Sequence, residues 1–72
     1  MKIRYDREED IVTIEVSPEK IDHAEEIGPI IVHFSKQGKP VLLEILDASE
    51  FMAETTRAMA KSKDGEFIEV LG

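Results

Sequence analysis

Seventy-two residues, 42% apolar and 35% charged, form one small α+β domain over 1–72 with enough apolar material for a core. At this length a single core leaves only about 3–5 kcal/mol of net stability, and with no cysteine the chain has no disulfide, thiolate metal site or cysteine chemistry to add. The net charge of −7, from 16 acidic and 9 basic residues, opposes phosphate backbones and anionic membranes, so neither nucleic acid nor membrane is an expected partner and a basic protein is.

No long apolar run, basic leader or lipidation signal is present, and the expected location is the cytoplasm. The lack of Asn and Cys, the single Gln37 and the abundant Glu and Lys fit a thermophilic source.

In chain order, Lys2-Ile3-Arg4-Tyr5 alternates polar with apolar, residues 6–10 are a charged run, and Ile11-Val12-Thr13-Ile14-Glu15-Val16 is rich in β-branched residues. These predict two strands joined by an acidic hairpin loop. Ser17-Pro18 ends the second strand, and residues 19–28 form a polar connection that holds either a short strand near 24–27 or only a loop. Gly28-Pro29 closes it. Ile30-Ile31-Val32-His33-Phe34 is the third strand, and the turn Ser35-Lys36-Gln37-Gly38-Lys39 returns the chain into residues 41–46 as the fourth.

Asp47-Ala48-Ser49-Glu50 reads as a D-x-x-E capping box, with the Asp47 carboxylate on an early helix N–H and Glu50 reaching back to the Asp47 amide. From Ala48 to about Ser62, Phe51, Met52, Thr55, Ala58 and Met59 recur at helical steps, with Glu50, Glu54, Arg57 and Lys61 largely elsewhere on the wheel. Asp64-Gly65 breaks the helix, and residues 66–71 read as a last strand or an extended tail. The expected architecture is an antiparallel β-meander of about four strands, a fifth at the C-terminus remaining open, with the helix packed on one face.

Strand parity assigns Ile3, Tyr5, Val12, Ile14, Val16, Ile30, Val32, Phe34, Val41, Leu43 and Ile45 to one face. Phe51, Met52, Thr55 and Met59 are expected to lie on it, and Tyr5 to sit at its edge with a wet hydroxyl. The other face carries Ile11, Thr13, Ile31, His33, Leu42 and Leu46 among Arg4, Glu15 and Glu44, which is too apolar for open solvent. Those six residues are the candidate dimer or partner interface.

Chemistry is sparsely signalled. Asp6, Glu8, Glu9 and Asp10 offer oxygens to a divalent cation, with Glu25 or Glu26 as further donors, but the glycine and terminal glutamate of a calcium loop are missing. A solvated hairpin tip explains them. His23 and His33 have no ligand spacing around them, the serines Ser17, Ser35, Ser49 and Ser62 sit in turns and caps, and no glycine-rich loop is present. An enzyme completed across a dimer by His33 and Glu44 lacks a nucleophile and a substrate site. Neither a cofactor nor catalysis is expected.

Two stretches carry a resemblance: the opening Ile3-Arg4-Tyr5-Asp6-Arg7-Glu8-Glu9-Asp10 and the closing Leu43-Glu44-Ile45-Leu46-Asp47-Ala48-Ser49, with Gly28-Pro29-Ile30 and the Gly38 turn between. Together they resemble the small prokaryotic family called domain of unknown function 2283, over roughly residues 1 to 50. Lys39-Pro40-Val41-Leu42 ahead of the closing motif departs from the family pattern, and residues 51–72 are less characteristic. The resemblance implies a small α+β meander and supplies no catalytic residues. Members are similar to small proteins found beside ribonuclease-like toxins, which implies an antitoxin or accessory role, and the acidity suits a basic cognate. The functional expectation is a non-enzymatic, homodimeric interaction module. The alternative is a small-ligand or divalent-metal binder using the acidic hairpin.

Overall fold

A computed structural model describes residues 1–69. Five strands form one antiparallel sheet: β1 (Lys2–Asp6), β2 (Ile11–Glu15), β3 (His23–Ile27), β4 (Ile30–Phe34) and β5 (Pro40–Ile45). One helix, α1 (Ala48–Lys61), follows. The class is α+β, and the fifth strand is the open segment near 24–27. Residues 66–69 form no strand, and the rest of the tail in question, 70–71, lies outside the described residues.

Spatial order is β1-β2-β5-β4-β3, so the meander is not strictly sequential. Composition explains the order. β5, with the sequence PVLLEI, and β4, with IIVHF, are the apolar strands and lie inside the sheet, whereas HAEEI of β3 carries two glutamates and is exposed throughout at an edge. The 17–22 connection therefore passes β5 and β4 to reach the far side, and the Asp22 N–H donates to the Phe34 carbonyl at 2.8 Å.

Register places the alternating residues as the sequence predicts. Ile3, Ile14, Leu43 and Val32 fall in one cross-strand row, and Tyr5, Val12, Ile45 and Ile30 in another, all on the first face. The second face holds the rows Lys2-Glu15-Leu42-His33 and Arg4-Thr13-Glu44-Ile31.

Burial is thin. Among the described residues Val41, Ile45 and Ala48 are the buried apolar ones, and Ser35 is buried as well. Ser35 closes the β4–β5 turn: its hydroxyl accepts from the Lys39 N–H at 3.2 Å, and its carbonyl accepts from Gly38, which sits at φ 82° where a side chain is disfavoured. Extensive contact between elements is confined to neighbouring strands. α1 is anchored at its start, where Ala48 is buried, and along its length Phe51, Glu54 and Ala58 are half-buried.

The expected inward stripe is thus only partly realised. Met52 is 42% and Met59 74% exposed, and Thr55 is exposed too. The side of α1 that is half-buried carries Phe51, Glu54 and Ala58, so Met52, Thr55 and Met59 fall beside it rather than on it. The molecule is also spread out. Its radius of gyration is 13.9 Å, against about 11 Å for a compact chain of this length.

Candidate functional site

Three places carry the chain's polar and open apolar features. The first is the junction that launches α1. Asp47 adopts φ 49°, ψ 49°, a left-handed conformation unlike the extended one of an ordinary N-cap, and its side chain makes no cap hydrogen bond. This corrects the expected Asp47 and Glu50 capping box. The cap comes instead from Asp10, in the β1–β2 turn and 39 positions before Ser49.

The Asp10 carbonyl accepts from the Ala48 N–H at 2.9 Å. Its carboxylate accepts from the Ser49 N–H at 3.1 and 3.3 Å and from the Ser49 hydroxyl at 2.7 Å. The Tyr5 hydroxyl, on a side chain 47% exposed, donates to the same carboxylate at 2.6 Å. An anion here answers the orphan donors and the positive end of the helix. The bonds from Tyr5 and then Ser49 hold the Asp10 carboxyl below its usual range, and the bond to Asp10 raises the Tyr5 phenol.

This clasp joins the two stretches that carry the family resemblance. Tyr5 and Asp10 come from the opening one, and Ala48 and Ser49 from the closing one. Reading each stretch locally misses it, because a hydrogen bond across 39 positions has no local signal.

The clasp also occupies the acidic hairpin. Asp10 is committed to α1, and Asp6 Oδ1 accepts from the Glu9 N–H at 3.0 Å within the turn. Glu25 and Glu26 lie on β3, the opposite edge of the sheet from β1. Among the described residues no three His, Asp or Glu side chains gather closely enough to hold a metal ion.

The second place is the second sheet face, where the structure brings together Ile11, Thr13, Ile31, His33 and Leu42, all half-buried. His33 Nε2 and Glu44 Oε1 meet at 2.7 Å on the diagonal between β4 and β5. A hollow of about 360 Å³ lies on this face beside them, lined in part by Arg4, Thr13, Glu15 and Leu42. It does not include the His33–Glu44 pair. His23 is elsewhere: it stacks on Phe34 with ring centroids 5.3 Å apart and bonds Asp22 at 2.9 Å.

The third place is a groove of about 530 Å³ between α1 and the end of the sheet. Pro29, Leu46, Phe51 and Ala58 give it apolar walls, and Asp47, Glu50 and Glu54 supply carboxylates. Leu46 is therefore a groove residue, its N–H donating to the Pro29 carbonyl at 2.7 Å. Glu54 also pairs with Arg57 one turn on.

Among the described residues no helix is long and apolar enough to cross a membrane. No curated protein and no solved structure matches the chain. The family model described as protein of unknown function (DUF2283) matches residues 2–49, which span the whole sheet and the start of α1 through the clasp residue Ser49, and the chain belongs to that family.

Proposed function

We propose that the protein is a non-enzymatic interaction module that self-associates and holds a protein partner of basic character on the second face of its sheet. The observation that carries this reading is unsatisfied surface. The chain exposes 5854 Å², where a compact monomer of its mass exposes about 4500 Å², and among the described residues only three apolar ones are buried.

On the second face, Ile11, Ile31 and Leu42 stand around Thr13 and the His33–Glu44 pair without any of them reaching burial. Three half-buried apolar side chains thus surround a polar pair on the central strands, a mixed apolar and polar surface of the kind that non-obligate protein contacts use. The net charge of −7 steers encounter with a basic partner.

The test is co-expression with the product of a neighbouring reading frame that encodes a basic protein. Capture is expected, with loss on Ile31→Asp and Leu42→Asp while far-UV circular dichroism is retained. Capture that survives both substitutions removes the second face from the proposal. Light scattering on the isolated protein is expected to give about twice the chain mass, and a clean monomer at millimolar concentration overturns self-association.

A further inference from the structure

Phe51, Thr55, Ala58 and Ser62 follow one another along α1 and its C-cap at steps of four, three and four. That spacing is a helix–helix seam, and the first three residues line the groove beside α1. Met52 and Met59 flank the seam on one side, and Glu54 and Lys61 on the other, each pair seven positions apart. The chain's own sheet leaves both methionines exposed.

Laid antiparallel against a copy of itself, this surface is self-complementary. Thr55 falls opposite Ala58 of the second copy, Met52 beside its Met59, and Glu54 beside its Lys61. Small residues at the centre allow close approach, opposite charges meet along one flank, and the two helix dipoles oppose one another. We infer that the groove along α1 is filled by α1 of a second copy, packed antiparallel.

Exposed apolar surface on the seam's flank favours that occupant: Met52 is 42% and Met59 74% exposed, and pairing two copies removes both from water. Pro29 and Leu46 extend the contact from the seam to the end of the sheet. The second sheet face is left free for another protein.

This inference rests on the self-association proposed above, and its test separates the two. Met59→Asp changes an exposed side chain and is expected to raise the dimer dissociation constant at least about tenfold with the fold intact by circular dichroism. Lys61→Glu is expected to weaken the dimer about threefold, and Glu54→Lys combined with Lys61→Glu to restore it. Because the chain has no cysteine, a mixture of Thr55→Cys and Ala58→Cys chains should oxidise preferentially to the mixed disulfide dimer. Should the protein dimerise while Met59→Asp has no effect and mixed disulfides show no excess, the α1 contact is wrong and self-association stands. A helix or small apolar molecule bound in the groove of a strict monomer overturns both.

Discussion

Ile45→Ala measures where the cohesion of this fold lies. Ile45 is 6% exposed and pairs with Val12 on one side and Ile30 on the other, just ahead of the buried Ala48. Truncation removes three carbons, worth about 2.4 kcal/mol at about 0.8 kcal/mol each. A residual cavity raises the expected cost to about 3 kcal/mol. That is most of the roughly 3–5 kcal/mol available to a chain of this length. With a urea slope near 1 kcal/mol/M, the midpoint moves down by about 3 M. The assay is urea unfolding followed by far-UV circular dichroism in dilute solution, with Met59→Ala beside it. Met59 is 74% exposed, so its truncation should stay within about 0.5 kcal/mol where the chain is monomeric. A cost under about 1 kcal/mol for Ile45→Ala, with a larger one for Met59→Ala, would refute this assignment of the core.

Asp10→Asn keeps a residue tolerant of φ 55° but removes the charge and one acceptor from the clasp. It should lower the melting temperature and speed amide exchange at Ala48 and Ser49, and unchanged exchange there would rule out the clasp as the cap. Because the folded Asp10 carboxyl lies below its ordinary 3.8, its contribution is complete above that pH and is lost as pH falls through the folded value. Acid melts of the unmodified protein should show a component that Asp10→Asn lacks. Tyr5 runs the opposite way: its phenol is raised above 10.0, so its contribution is present below that pH and is lost as pH rises through the folded value. Tyr5→Phe should flatten that alkaline limb. Ala48 is 1% exposed, and Ala48→Leu should cost about 1–3 kcal/mol by overpacking, read in the same urea assay.

The two faces of the sheet were legible because alternation survives in every apolar strand: Val12 and Ile14, Val32, Leu43 and Ile45 fall together as their spacing demands. β3 was not, since an edge strand needs little apolar character and HAEEI offers almost none. Strand order also escaped a local reading, because adjacency in sequence favours a sequential meander while the apolar demand of β5 draws β2 beside it. The helix span is legible in its periodicity, but the side it half-buries is not, since Glu54 and Ala58 join Phe51 there in place of Met52, Thr55 and Met59. The start of α1 is held by Asp47 in a left-handed conformation and by the Asp10 bonds, neither of which the helical wheel contains. Of the candidate surface, the grouping of Ile31, His33 and Leu42 followed from parity, and the groove at Leu46 did not.

The clasp and the open seam are linked by geometry. Ala48 and Ser49 are tied to the β1–β2 turn, so α1 starts against the sheet and leaves Met59 near its far end in solvent. A helix laid fully across the first face would have enlarged the core but buried the surface that fits a second copy. In the self-association proposed here, the small monomer core and the exposed methionines beside the seam are two sides of one arrangement, in which part of the stabilising contact is supplied between chains. Apparent stability should then rise with protein concentration, and Met59→Ala, nearly silent in dilute solution, should acquire its cost as the dimer becomes populated. A melting temperature independent of concentration over a hundredfold range would break that link.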